Sequence, residues 1–165
     1  MKITGNADET FKQSMLDLPN FIDRTGRSRF GDSIIQGLVV THASVDKKAE
    51  EPLKTEGKVI CELVVTEDML NGGGNVHGGC SAYLIDMCST LVLMACGQYV
   101  HVSQSLNIVY HSPAALGEKL RIINTTMNVG RRTMTARTEI WNATKHRLIA
   151  SGVHIKMAPS PSSKL

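Results

Sequence analysis

Apolar and polar residues follow two different periods along this chain, and the change of period predicts where its helices and strands lie. Residues 77–95 are apolar on almost every face of a helix, which is typical of a helix buried in a core. A short helix is predicted over 10–18, because Phe11, Met15 and Leu18 recur at helical spacing. The remaining apolar runs favour strands. These predicted strands cover residues 34–44, 57–66, 98–111, 117–129, 132–142 and 147–157.

The order of these elements predicts the fold class. Two strands precede the long helix and four follow it, and turn-forming residues separate the last four at Ser112-Pro113, Val129-Gly130 and residues 142–146. Short connections between successive strands favour antiparallel pairing. We therefore expect an α+β fold in which one curved antiparallel sheet of about six strands wraps around the central helix.

The chain is long enough for one domain with its own core, since it has 165 residues of which 42% are hydrophobic. We expect an N-terminal extension with the short helix over residues 1–30 and a single domain over 31–157. Residues 158–165 are expected to form a flexible tail, because they are rich in proline and serine. The charged stretch 46–56 should be a loop inside the domain.

Composition argues against several classes of function. A net charge of +3 with only 4% aromatic residues gives little support to nucleic-acid binding. No metal site is expected, because the cysteines lack a CxxC pair and the spacing typical of zinc ligands. The chain opens without an apolar leader, and polar residues interrupt the stretch 80–96, so we expect neither a signal peptide nor a membrane span. The protein is expected to be soluble and intracellular.

The last three residues carry a targeting signal. Ser163-Lys164-Leu165 has the sequence of a peroxisomal address, and it stands at the end of the chain, where a receptor would read it. The sequence therefore predicts a location in the peroxisomal matrix and an import receptor as a partner.

The most informative stretch for chemistry runs from Asn71 to Thr90. A glycine-rich loop leads into the apolar helix, which carries one carboxylate, Asp86, near its middle. Helix N-terminal N–H groups favour negative charge that develops in a reaction, and an acid inside a core needs a partner. These features suggest acyl chemistry. A simple turn with a structural Asp86 is the alternative interpretation, and His77 fits a helix cap or a packed ring as well as a general base.

Residues 34–157 resemble a known family, the hotdog-fold acyl-CoA thioesterases of the phenylacetyl-CoA and thioesterase-superfamily-member-2 type. The HGG-x6-D spacing together with the later Y-x-S-P-A-x2-G gives the resemblance its specificity. The matching residues are Asn71, His77-Gly78-Gly79, Asp86, Ser89-Thr90, Ser103, Asn107, Tyr110-His111-Ser112-Pro113-Ala114 and Gly117.

The resemblance implies a catalytic role for each matching site residue. Asn71 and the Gly78 N–H would polarise the thioester carbonyl, while Asp86 would act as general base or nucleophile. Ser103 would orient water, and His77 completes the set of candidate catalytic residues. No G-x-S-x-G elbow is present, in keeping with hydrolysis that needs no serine nucleophile.

The resemblance also implies how substrate and subunits are arranged. Coenzyme A would enter as part of the substrate, with no separate cofactor, and the family implies homotetramers built from dimers whose active sites lie at the dimer interface. The segments that correspond to the family's coenzyme A contacts contain Tyr110, Asn128, Gly130, Arg131, Arg132 and Thr133. The chain departs from the family pattern at Arg132, at the glycines 72–74 and in the loop 46–56. The resemblance therefore implies the reaction but neither the acyl-chain preference nor the details of nucleotide contact.

Two other functions remain alternatives at this point. An enoyl-CoA hydratase or dehydratase of the same fold would use a His-plus-acid pair, for which His77 and Asp86 are the candidates. A non-catalytic acyl-CoA-binding scaffold would bind substrate without turnover. Release of free thiol from a saturated acyl-CoA distinguishes hydrolysis from both.

Overall fold

One six-stranded antiparallel sheet forms most of the structure. The computed structural model describes residues 2–23 and 26–159. The strands, in chain order, are β1 (Val39–Lys47), β2 (Thr55–Val64), β3 (Val102–Tyr110), β4 (Lys119–Val129), β5 (Thr133–Asn142) and β6 (Arg147–Met157). Their order across the sheet is β1-β2-β4-β5-β6-β3, so β3 is an edge strand that pairs with β6 alone among the described residues. The expected sheet is confirmed. The bounds of β4, β5 and β6 lie within two residues of the predicted ones, whereas β3 begins four residues later than predicted.

The sheet curves around one long helix. The helices are α1 (Glu9–Met15), α2 (Leu18–Ile22), α3 (Asp32–Gly37) and α4 (Gly78–Ala95), with a short 3-10 turn at Glu67–Met69. Helix α4 packs against β2, β4, β5 and β6, and ten of its 18 residues are buried. By length and a mean hydropathy of 1.4 this helix would also suit a membrane span. Its apolar surface is instead used to build the core, as the sequence predicts.

Helix α4 nevertheless keeps one stripe that its own chain does not bury. Ala82, Tyr83, Asp86, Met87 and Thr90 are all partly exposed, and they recur at the spacing of a single helical face. The side chain of Asp86 is 47% exposed. The expectation that Asp86 is a buried acid is therefore wrong for the single chain, because the sheet leaves this stripe only partly covered.

The N-terminal region differs from the sequence prediction. The stretch predicted as a strand over 34–44 begins inside α3 and enters β1 only at Val39. Gly31 starts the helix at φ +77°, where a Cβ would meet the ring of Tyr83, and Ile35 then packs into the core. A short apolar run fits a buried helical turn as well as a strand, and the periodicity alone did not separate them.

The short helix predicted over 10–18 is two helices. Asp17 caps α2, accepting a hydrogen bond from the Asn20 N–H at 3.4 Å, and Pro19 lies in the first turn of that helix. A cap followed by proline starts a new helix rather than continuing the old one. Leu18 remains buried, as its position in the apolar pattern predicts.

A buried polar pair joins three strands in the core. The Asn124 side-chain amide donates to the Val59 carbonyl at 3.1 Å and accepts from the Thr138 hydroxyl at 2.7 Å. Asn124 and Thr138 are both 0% exposed. Each polar atom is satisfied only while its partner is present, so the pair fixes the register of β2, β4 and β5.

We predict that Thr138→Val lowers the free energy of unfolding by roughly 1–3 kcal/mol, because the Asn124 amide oxygen is then buried without a donor. Urea denaturation followed by circular dichroism measures the change. Thr125→Val is the matched control: it lies on β4 beside Asn124 but is half-exposed, and we expect a change within about 0.5 kcal/mol. Equal losses for both variants would contradict the role given to the buried pair.

Candidate active site

Two basic side chains from β6 lie beside Asp86. The Asp86 carboxylate oxygen Oδ1 is 3.5 Å from the Lys156 ammonium nitrogen and 3.5 Å from the His154 ring nitrogen Nδ1. The side chains of Lys156 and His154 are only 7% and 1% exposed, whereas that of Asp86 is 47% exposed. Asp86 is therefore a paired carboxylate at the boundary between the core and solvent, with its partners on the inner side.

His154 connects Asp86 to Ser103. Its Nδ1 lies 2.7 Å from the Ser89 hydroxyl, and its Nε2 lies 3.0 Å from the Ser103 hydroxyl. The Ser89 hydroxyl also donates to the Asp86 backbone carbonyl at 3.0 Å. Because that hydroxyl has one proton, the arrangement is satisfied when Nδ1–H donates to Ser89 and Nε2 accepts from Ser103. The lone pairs of the Ser103 oxygen then remain available to a further donor such as water.

Burial controls the charge of the groups around Asp86. Desolvation, with a smaller contribution from the Lys156 charge, lowers the pKa of His154 to about 4. His154 is therefore neutral near pH 7, in agreement with its acceptor role toward Ser103. Desolvation also lowers the pKa of Lys156, while the Asp86 carboxylate opposes this effect. The ion pair of the site is thus formed by Asp86 and Lys156, with an uncharged imidazole beside it.

The N-terminus of α4 forms a second polar centre. His77 caps the helix, since its Nδ1 accepts from the Gly79 N–H at 2.8 Å. The Tyr110 hydroxyl donates to the Gly78 carbonyl at 3.1 Å. Within residues 2–23 and 26–159, the Gly78 N–H has no hydrogen-bond partner, as is usual in the first turn of a helix. This N–H is therefore free to bind an oxygen with developing negative charge.

Asn71 is fixed by the loop that precedes α4. Its side-chain oxygen accepts from the Gly73 N–H at 2.9 Å and from the Asn75 N–H at 3.2 Å. The backbone turn closes when the Asn71 N–H donates to the Asn75 carbonyl at 2.7 Å. Gly74 adopts φ +75°, which explains one of the glycines that depart from the family pattern. The side-chain NH₂ group is the end of Asn71 that the turn leaves available to donate.

The two polar centres do not meet within one chain. Asp86 and Ser103 are brought together through His154, whereas Asn71, His77 and Gly78 lie at the start of α4. Eight residues separate Gly78 from Asp86, which is ~12 Å along a helix. The His77 ring is farther still and serves as a cap. The single chain therefore does not form the His77–Asp86 pair on which the hydratase alternative depends.

The candidate coenzyme A residues are divided in the same way. Tyr110 lies at the N-terminus of α4. Asn128, Gly130, Arg131, Arg132 and Thr133 belong to the β4–β5 hairpin, where the Gly130 N–H donates to the Thr133 carbonyl at 3.1 Å. A surface groove brings this hairpin beside Cys96 and Gln98, at the other end of α4. The helix of 18 residues spans ~27 Å, so one chain does not bring all six residues to one ligand.

Sequence reasoning missed His154 and Lys156. A signal was present, because the buried face of β6 contains Ala150, Gly152, His154 and Lys156 at alternate positions. Two ionisable residues on the inner face of a strand indicate a polar site in the core. No group of three or more His, Cys, Asp or Glu side chains suited to a metal ion occurs in the part of the chain that the structure describes.

The chain is similar in sequence and in fold to known thioesterases. The profile of the thioesterase superfamily matches residues 73–149. Human acyl-coenzyme A thioesterase 13 is 39% identical over 101 residues, which cover 61% of this chain and 72% of the relative. The crystal structure of zebrafish thioesterase superfamily member 2 superposes with a TM-score of 0.70 at 31% identity, covering 81% of this chain and 89% of that one.

A third similar protein was crystallised with coenzyme A. This hypothetical thioesterase from Streptococcus pneumoniae is 26% identical, with a TM-score of 0.59 over 64% of this chain and 81% of that one. The family resemblance and the hotdog fold expected from the sequence are confirmed. The chain belongs to the thioesterase superfamily and is an acyl-CoA thioester hydrolase with the hotdog fold.

Proposed function

We propose that this hydrolase uses Asp86 as the general base for water attack and binds the oxyanion with Gly78 and Asn71 of a partner subunit. The observation that carries the proposal is the separation of the two centres on α4. The first centre offers Asp86 as a proton acceptor and the Ser103 hydroxyl as a second group that binds the water. The second centre offers hydrogen-bond donors. Thioester hydrolysis needs both at the same carbonyl group.

The first centre suits activation of water. A water molecule that donates to the Asp86 carboxylate and to the Ser103 oxygen has a lone pair free to attack the thioester carbon. Asp86 takes one proton from the water as the C–O bond forms. When the tetrahedral intermediate collapses and its C–S bond breaks, the Asp86 carboxyl gives that proton to the leaving sulfur, so coenzyme A departs as the thiol and the base is regenerated. Lys156 holds the carboxylate from its buried side, at 3.5 Å. A base with a separate water anchor favours this role for Asp86 over that of a nucleophile.

The second centre suits the oxyanion. The Gly78 N–H is at the N-terminus of an 18-residue helix, where the partial positive charge favours an anionic oxygen. The Asn71 NH₂ group offers a second donor. Loss of one such donor commonly costs ~10²–10³ in rate.

Two elements support the same twofold arrangement of subunits. If the β3 edge strands of two copies pair antiparallel about a point between Leu106 and Asn107, Ser103 lies opposite Tyr110 of the partner subunit. If the exposed stripes of two α4 helices pack antiparallel about Ala82, Asp86 lies beside Gly78 of the partner subunit. Most of the nine residues of β3 are exposed in the single chain. An uncovered edge strand of this length presents unpaired backbone groups, which favours its pairing with a second copy. Both pairings bring the two centres together.

The same arrangement unites the candidate coenzyme A residues. Antiparallel helices place the β4–β5 hairpin of one subunit near Tyr110 of the partner subunit. Arg131 and Arg132 are exposed on that hairpin and would bind the phosphates. Exposed apolar residues on the outer face of the sheet, such as Val64 and Met127, give two dimers a surface on which to form a tetramer.

We predict that Asp86→Asn lowers kcat for thiol release by roughly 10²–10⁴, because the amide keeps the shape but accepts no proton. Coenzyme A should inhibit the variant with an unchanged constant. Asp46→Asn is the matched control, an exposed carboxylate on β1 that should leave kcat unaltered. Turnover by Asp86→Asn near that of the parent enzyme would remove Asp86 from the mechanism.

We predict that inactive Asn71→Ala and Asp86→Asn subunits restore activity when they are mixed and refolded together. A mixed dimer combines both intact centres in one of its two sites, so up to half of the parental activity per dimer is expected. Heterodimer formation is measured by pull-down of differently tagged subunits. Heterodimers that form but stay as inactive as either parent would rule out the shared site.

We propose that the enzyme acts in the peroxisomal matrix, as part of lipid metabolism, and that an import receptor binds Ser163-Lys164-Leu165, which lie outside the described residues. Deleting the tripeptide from an N-terminally tagged protein should change punctate fluorescence to a diffuse cytosolic signal. Thiol release in vitro should not change. Puncta that persist after the deletion would show that the tripeptide does not direct import.

A further inference from the structure

An apolar cavity of about 220 Å³ lies along the C-terminal half of α4, from Met87, the residue after Asp86, to Met94. Its floor is formed by Met87, Thr90, Leu91 and Met94, which recur along one side of the helix. The Thr90 hydroxyl is turned to its own helix, since it donates to the Asp86 carbonyl at 2.8 Å. From Met87 to Met94 the cavity extends ~10 Å along the helix. The cavity therefore runs along two turns of α4, and its first lining residue on this helix, Met87, follows the proposed base in the sequence.

The N-terminal extension closes this cavity on one side. Phe21 and Ile22 of α2 line it opposite the α4 residues. Leu18, which is 1% exposed, anchors helix α2 in the core, and this anchor fixes the position of Phe21 and Ile22. They lie outside residues 73–149, the part of the chain that matches the superfamily profile. The cavity therefore combines a floor from the common fold with a wall from the extension.

The remaining wall carries no charge near neutral pH. Tyr99 and His101, just before β3, complete the lining. Neither ring nitrogen of His101 has a hydrogen-bond partner among the described residues. Burial, reinforced by the charge of Lys156, lowers the pKa of His101, so the ring is neutral at pH 7. An uncharged ligand portion fits such a lining, whereas a charged one would lose its hydration without compensation.

We infer that this cavity binds the hydrocarbon chain of a fatty acyl group, and that Phe21 and Ile22 set the longest chain the enzyme accepts. The inference rests on the proposed function, because it takes the thioester carbonyl to lie at Asp86. The shape favours a chain over an aromatic ring, since a ring fills only the part of a two-turn cavity that is next to the carbonyl. Methionine side chains at both ends, Met87 and Met94, adapt readily to a flexible chain.

Ile22→Trp tests the inference by shortening the cavity. We measure kcat/KM for thiol release with butyryl-, octanoyl-, dodecanoyl-, hexadecanoyl- and phenylacetyl-CoA. The value for the longer chains should fall by roughly fourfold for each methylene displaced from the cavity, while butyryl-CoA is unaffected. Leu16→Trp, on the same N-terminal segment but 51% exposed and outside the cavity, is the matched control and should keep the parental profile.

Phe21→Ala provides the opposite change. A wider cavity should move the preferred substrate to a longer chain. If circular dichroism shows that Ile22→Trp does not fold, the substrate profile of Phe21→Ala decides whether these residues limit chain length. A uniform effect on all substrates, no effect on either variant's profile, or a parent enzyme that prefers phenylacetyl-CoA to every fatty acyl-CoA would overturn the inference. A folded parent enzyme that releases no thiol from any acyl-CoA would instead refute the proposed function.

Discussion

The burial of α4 in the curve of the sheet is the constraint on which the rest of the structure depends. Ten of its side chains are held by β2, β4, β5 and β6, so the helix has no freedom to rotate about its axis. The same packing decides which residues remain outside the core: the stripe that contains Asp86 is the face that the sheet covers only partly. The position of the proposed base, the exposure of the helix face and the direction of the cavity all follow from this one packing arrangement.

The charges at the site show a balance between burial and access to water. A buried lysine is costly without a counter-ion, and removal of one partner from a fully buried pair costs roughly 3–5 kcal/mol. Lys156 is almost completely buried, but Asp86 is half-exposed, so water reaches the pair and the cost of losing the carboxylate lies below that range. This position suits the proposed role of Asp86, because a general base exchanges protons with water. The neutral His154 meanwhile holds the hydroxyl groups of Ser89 and Ser103.

The sequence was sufficient for the fold and for part of the site. The apolar circumference of α4 and the alternation in the later strands predicted the architecture, and the glycine-rich loop before Asp86 indicated the candidate site. Other features depend on long-range contacts that local patterns do not encode. His154 and Lys156 approach Asp86 only through the register of β6 with its neighbours, and the half-exposed state of Asp86 follows from which face the sheet covers. The α3 segment was mistaken for a strand because a short apolar run suits either element.

The distance between Gly78 and Asp86 has a consequence for how activity depends on protein concentration. When the donors and the base of each site come from different chains, a separated subunit has neither a complete oxyanion site nor a use for its base. Specific activity then follows the fraction of assembled protein, and it falls on dilution below the dissociation constant of the dimer. A newly synthesised subunit would leave the acyl-CoA around it intact until it met a second copy. Assembly would itself be the event that switches the enzyme on.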